Sequence, residues 1–314
     1  MKKKIIPKVG IGLLAYNQGK YVDDAIESLR RQTYQDFEVF LIDDGSNDGF
    51  TREKLSKINY CKITKKYLHK DNIGAPRRRK QHDELMKNDY ILNFCGDDIL
   101  ADTFLEKTVQ FLEKHSQYGA VCTNLRLFKH EINDYYYEKK YDASTMKIPE
   151  MLIDCNMLGS SLIRKKALND IDLSWSLTRR YDWNRWLAML QKGWKLGLVP
   201  EPLFYYRQLE DSLSHKSNTA EDSKFMQELI KKYPKEFRDH YKEIIKLLWD
   251  RLIEVREGKN WLDKQYHNLN DEIKRLNEEL YQCNKDKTES KPKKKGRIRC
   301  FFCKKANNKK GDKK

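Results

Sequence analysis

Two short apolar runs in this chain each stop at a pair of acids: Phe37 to Ile42 (FEVFLI) at Asp43-Asp44, and Tyr90 to Phe94 (YILNF) just before Asp97-Asp98. Runs of this length, bounded by Gly and acids, read as buried strands whose C-terminal ends reach the surface. Lys8 to Ala15 (KVGIGLLA) reads as a strand before them, and another is expected near Lys62 to Leu68. From Tyr21 to Gln32, apolar Val22, Ala25, Ile26 and Leu29 fall at helical spacing with Asp23 and Asp24 in the first turn. A basic helix is expected from about Pro76 to Lys87. Strand, helix, strand in succession is a βαβ unit, so the expected fold class is α/β: a mixed, mainly parallel sheet flanked by helices. Parallel topology puts both acid pairs on one sheet edge, where open α/β sheets bind ligands.

Adjacent carboxylates at a strand end suit a hard divalent cation, Mn²⁺ or Mg²⁺, which prefers oxygen ligands and bridges carboxylates to substrate phosphates. The same pair would also cap the helix that Asp102 and Thr103 open. Charge alone would suggest nucleic acid, since the 314 residues carry a formal +16. Lys285 to Lys314, however, hold fourteen Lys and Arg against three acids, and so eleven of those sixteen charges. The body of the chain is only mildly basic and has no nucleic-acid-binding motif, so no nucleic-acid partner is expected. Seven scattered cysteines in a lysine-rich sequence without a signal peptide point to a reducing, cytoplasmic setting. The early apolar run VGIGLLAY is far short of the ~20 residues a membrane helix needs.

Several further segments fall in a characteristic order. AYN lies at Ala15 to Asn17, FEVFLIDDGSNDG at Phe37 to Gly49, and NIGAPRRRKQHDELMKNDYILNFCGDD at Asn72 to Asp98. LGSSLIRKKAL follows at Leu158 to Leu168, and RRYDWNRWLAMLQKGWKLGLVPEPLFYYR at Arg179 to Arg207. Together they resemble the inverting glycosyltransferases of family 2, which use the Rossmann-like GT-A fold, over about the first 210 residues. The resemblance implies transfer from a nucleotide-sugar donor, UDP-linked, to a saccharide or lipid-linked acceptor in cell-surface glycan synthesis. It puts Ala15 and Tyr16 against the nucleobase, Asp44 as acceptor for a base N–H, Asp97 on the ribose and Asp98 on the metal. Arg79 aligns with a family arginine and is a candidate for the nucleotide, although Arg77, Arg78 and Lys80 surround it and any of them could be a solvated helix face. His215 is a further candidate for metal or phosphate. The general base is expected at Asp182, which also suits an N-cap of the helix WNRWLAML.

Two departures stand out: Cys95 replaces the first acid of the family's Asp-x-Asp-Asp motif, and Tyr181 replaces the Glu before the catalytic acid. They feed a different reading, a catalytically degenerate domain serving as a coiled-coil scaffold or sugar-nucleotide-binding protein. Retention of Asp44, Asp97, Asp98 and Asp182 argues for the enzyme. The expected organisation is a glycosyltransferase domain over 1–217, a connecting segment over 218–240, a coiled-coil helix over 241–283 and a disordered basic tail over 284–314. Tyr241, Ile245, Leu248, Leu252, Val255, Leu262, Tyr266, Leu269, Ile273, Leu276 and Leu280 recur at spacings of three and four, broken only at Lys259. Such a seam favours a homodimer, and a pair of helices packed on the domain is its alternative. Phe301 and Phe302 inside the basic tail suit a peripheral contact with an anionic membrane at its inner face.

Overall fold

The computed structural model describes residues 6–173, 180–209 and 219–289. Along the first part of the chain run β1 (Val9–Ala15), α1 (Val22–Arg30), β2 (Phe37–Asp43), α2 (Thr51–Lys57), β3 (Ile63–Leu68), α3 (Ala75–Leu85) and β4 (Tyr90–Cys95). There follow β5 (Ile99–Leu100), α4 (Phe104–Lys114), β6 (Tyr118–Phe128), β7 (Tyr137–Lys139), α5 (Ile148–Met151), β8 (Leu162–Arg164), α6 (Lys165–Asn169), α7 (Tyr181–Gln191) and β9 (Lys195–Arg207). All nine strands form one sheet in the order β3-β2-β1-β4-β8-β6-β9-β5, with β7 paired to β6. The first four strands are mutually parallel, β8 is antiparallel to β4, and β9 runs parallel to β6. This is the mixed, mainly parallel α/β sheet that the βαβ pattern predicts.

Every residue of β1 and β2 is buried, as expected for strands covered on both faces. The register sets Ala15 beside Asp43, and Leu14 beside Cys95, so the ends of β1, β2 and β4 share one edge. α1 buries Val22, Ala25, Ile26 and Leu29, the stripe that its spacing marks. Strand β9 contains Pro200 and Pro202, which lack the N–H a ladder needs. The β6–β9 register shifts between Thr123 and Leu125, opposite that stretch, and so absorbs them.

Beyond the sheet lie α8 (Thr219–Lys232), α9 (Pro234–Asp239) and α10 (Tyr241–Glu289). The long helix thus starts at Tyr241, and Pro234 opens only a short helix before it. The cause is packing: Phe225, Leu229 and Tyr233 are buried in the main core and Phe237 packs against it, while the Tyr233 hydroxyl donates to Asn184 Oδ1 at 2.8 Å. The chain divides into two compact units, Met1–Leu248 and Trp249–Lys314. Ile244, on the opening turns of α10, is buried in the first unit. In the second, the seam positions Leu252, Val255, Leu262, Tyr266, Leu269, Ile273 and Leu276 are all exposed. Among the described residues no helix is long and apolar enough to cross a membrane. The tail with Phe301 and Phe302 lies outside the described residues.

Candidate active site

At the end of β1, Asn17 adopts a left-handed φ of 55°, a conformation Asn tolerates better than most residues. Asn17 Oδ1 accepts from the Asn47 amide at 2.9 Å, and the Asn17 amide donates to Ser46 Oγ at 3.0 Å, which fastens β1 to the loop after β2. Tyr16, between Ala15 and this turn, is 40% exposed, so its ring is open to a ligand. Ala15 is buried, and its carbonyl accepts from the Asp44 amide at 2.9 Å. Gly45 is required here. Its φ is +72°, and a Cβ would stand 2.4 Å from the Asp71 carbonyl carbon.

Asp44 is buried, and its side chain accepts two hydrogen bonds among the described residues, both on Oδ1: Arg78 Nε donates at 2.7 Å and the Ile73 amide at 3.2 Å. Within the basic run on α3, then, Arg78 is the partner of the nucleobase candidate, which four consecutive basic residues could not reveal. Arg78 also donates to the Asp71 carbonyl at 2.7 Å. Lys80 pairs with Glu84 on the helix surface. Beside Arg78, His69 and His82 face each other through their Nε2 atoms at 3.1 Å. Burial, aided by the nearby His69 and Arg78 charges, pushes the His82 pKa down to about 4. A histidine depressed in the fold contributes stability above its ordinary pKa near 6.5, and that stability is lost as pH falls through the folded value. The thermal midpoint of wild type relative to His82→Gln should therefore rise between pH ~4 and ~6.5. A constant difference across those pH values would show that His82 does not titrate this way.

At the end of β4, Cys95 Sγ and the carboxylate oxygens of Asp97 and Asp98 lie within 4.8 Å of one another. Asp98 is buried and accepts from the Arg207 amide at 3.1 Å. Its pKa is raised well above the carboxylate range, first by burial and then by Asp97. Asp97 is also raised by burial, although the Gln18 side chain hydrogen-bonds to it. A half-buried acid that opposes the ionisation of a buried one beside it makes a donor set that a divalent cation relieves. The Cys95 thiol, pushed up to about 12 by burial, adds no charge to them.

Arg79 reaches from α3 between this motif and α7. Its Nη2 donates to Cys95 Sγ at 3.0 Å and its Nη1 to Asp182 Oδ2 at 3.3 Å. Asp182 sits in the first turn of α7, while Arg180 occupies the N-cap position, so Asp182 is not a cap. Its Oδ1 accepts from Arg185 Nη2 at 2.6 Å. The Gly159 backbone approaches so closely that a Cβ there would lie 2.6 Å from Asp182 Oδ2. Ala15, Tyr16 and Asp44 thus gather at the ends of β1 and β2, while Arg79 links Cys95, beside Asp97 and Asp98 at the end of β4, to Asp182 on α7. His215 lies outside the described residues. Sequence reasoning missed Arg78 and Arg185, and for Arg185 a signal existed: it follows Asp182 at i,i+3, the spacing of a helical ion pair.

Residues 11–172 match the family described as Glycosyl transferase family 2. EpsE of Bacillus subtilis (strain 168), named as a glycosyltransferase, is 28% identical over 221 residues, covering 68% of this chain and 77% of its own length. TuaG of the same organism, whose name places it in teichuronic acid biosynthesis, is 27% identical over 221 residues, covering 66% of this chain and 82% of its own. Residues 1-349 of S. aureus TarS, crystallised in complex with UDP-GlcNAc, share the fold with a TM-score of 0.52 at 17% identity. That likeness covers 67% of this chain and 61% of the crystallised one, so the chain spans less than two thirds of it. The family match alone extends over more than half of the 314 residues, and the chain therefore belongs to glycosyl transferase family 2, the GT-A nucleotide-sugar glycosyltransferases.

Proposed function

We propose that the protein is an inverting, metal-dependent glycosyltransferase that moves a hexosyl or N-acetylhexosaminyl group from a UDP-sugar to a saccharide or lipid-linked acceptor in glycan synthesis. The observation that carries this reading is the placement of a partly exposed carboxylate, Asp182, across the Arg79 guanidinium from the Asp97 and Asp98 pair, of which Asp98 is buried. The likeness to TuaG, named for teichuronic acid biosynthesis, supports a glycan product.

In this mechanism the Tyr16 face and Asp44 receive the base, an arrangement suited to a uracil ring N–H. Asp98 would hold the divalent cation, with Asp97 turned to the ribose. A cation bound there neutralises charge on the departing diphosphate. Asp182 Oδ2 takes the proton of the acceptor hydroxyl. The electron pair of that O–H bond forms the new bond to the anomeric carbon, and the bond to the diphosphate oxygen breaks with its pair leaving on UDP. Attack from the face opposite the leaving group inverts the carbon. Arg79, one guanidinium between the two centres, is placed to meet negative charge on either side.

Calorimetric titration of UDP with and without Mn²⁺ tests the reading. Binding is expected only with the cation, and no binding in either condition would favour the degenerate scaffold instead. The exposed seam of α10 suits a second copy of the same helix, because apolar a and d positions interrupted by a single Lys259 favour one register. Sedimentation should show a dimer at micromolar concentration, and Leu262→Glu with Leu269→Glu should give a monomer that binds UDP as before. A monomeric wild type would remove the coiled-coil reading.

A further inference from the structure

Arg185 is a guanidinium with no exposed side-chain surface, paired with Asp182 one turn back on its own helix. Its Nη2 donates both to Asp182 Oδ1 at 2.6 Å and to the Gly159 carbonyl at 2.9 Å. The guanidinium lies 4.4 Å from the centre of the Trp186 ring and 5.4 Å from that of Tyr181, so aromatic faces fix its plane. Nε and Nη1 have no hydrogen-bond partner among the described residues. A buried cation with unused donors is costly, and structure alone would be served as well by an apolar side chain of similar size. The cost falls on one carboxylate oxygen.

That carboxylate is held unequally. Arg185 takes Oδ1 at 2.6 Å, whereas Arg79 touches Oδ2 only at 3.3 Å and shares its guanidinium with Cys95. Oδ2 is also the oxygen beside which the chain places glycine, where any Cβ would crowd it. We infer that Arg185 is a positioning residue for the general base: with Gly159 it anchors Oδ1 and presents Oδ2 to the acceptor hydroxyl. This rests on the reading of Asp182 as the base. The charged and titratable groups that act on Asp182 are Arg79 from α3, Cys95 from β4, Cys155 after α5, and Tyr181 and Arg185 from its own helix, and Asp83 of α3 acts in turn on Arg79 and Arg185. Of these, Arg185 makes the shortest bond to it.

The test is a double-mutant cycle in the full-length protein. UDP release is followed from UDP-GlcNAc, UDP-glucose and UDP-galactose in Mn²⁺, with water as acceptor. Arg185→Met should lower kcat at least ~10-fold, the scale of a slightly misplaced catalytic group, with KM for the donor and the calorimetric affinity for UDP within about twofold. Arg185→Lys should recover most of that loss, because an ammonium can still donate to Oδ1, and it carries the test if the Met variant does not fold. In an Asp182→Asn background the Arg185 substitution should cost nothing further. Equal losses in both backgrounds, or parallel losses in kcat and UDP affinity, would mark Arg185 as structural and overturn the inference while leaving the base in place. Wild-type turnover by Asp182→Asn alone would remove the base, and the inference with it.

Discussion

Asp182→Asn should lower sugar transfer by at least ~100-fold while the protein still binds UDP with wild-type affinity, since general-base catalysis contributes on that scale. Asparagine is the informative replacement. Its side-chain oxygen can still accept from Arg185, so the buried guanidinium keeps a partner and α7 keeps its place, whereas Asp182→Ala would strand that cation. Breaking one side of a buried pair costs ~3–5 kcal/mol, enough to confuse a catalytic defect with a folding defect. Donor affinity is expected to survive because Tyr16, Asp44, Asp97 and Asp98 stand at the ends of β1, β2 and β4, whereas Asp182 stands on α7 and is linked to the end of β4 through Arg79 and Cys95. Calorimetry with UDP and single-turnover transfer measure the two effects separately. Near wild-type turnover would move the base elsewhere.

The second large effect is expected at Asp98. Outer-shell partners of a metal already cost 10–100-fold when removed, so loss of a direct carboxylate ligand should weaken Mn²⁺-dependent UDP binding by at least ~100-fold. Asp98→Asn keeps the acceptor for the Arg207 amide and removes only the charge. The metal-free protein should then melt at the same temperature as wild type or higher, because a buried acid repelled by the neighbouring Asp97 is gone. Opposite signs in the two measurements are the signature. A fall in both would mean that Asp98 supports the fold and not the cation, and unchanged UDP affinity would refute the metal assignment.

How far the sequence announces all this differs between the halves of the sheet. β1, β2 and β4 are legible because each is a short apolar run bounded by turn chemistry, and the acid pairs after β2 and β4 fall on one edge by topology alone. Tyr118–Phe128 and Lys195–Arg207 are harder: both exceed the usual strand length, and the two prolines of β9 argue against a strand until the register shift in β6 is seen. The site divides in the same way. Asp97, Asp98 and Asp182 are readable from motif and spacing. The division of labour within Pro76 to Lys80 is not, because helical phase decides it: Arg78 turns to Asp44 and Arg79 to Asp182, one residue apart. The fate of Ile244 was equally hidden, since it neighbours the seam residue Ile245 but faces the core of the first unit.

Arg207 gives the site a property best seen in evolutionary terms. Its guanidinium donates to the carbonyls of Asp97, Lys129 and His130 and to the Asp24 carboxylate, and it is stacked against Tyr21 and Phe128. One side chain thus knits the β4 motif, the end of β6, the end of β9 and the first helix. Lysine, a point charge without a planar fork, cannot replace it. Arg79, by contrast, has a buried Nε without a hydrogen-bond partner among the described residues. The contacts that tie the strand ends and those that reach Asp182 are therefore carried by different arginines. A substitution beside Arg79, at Cys95 for example, leaves every contact that Arg207 makes in place, so the surroundings of one arginine can change while the scaffold tied by the other holds.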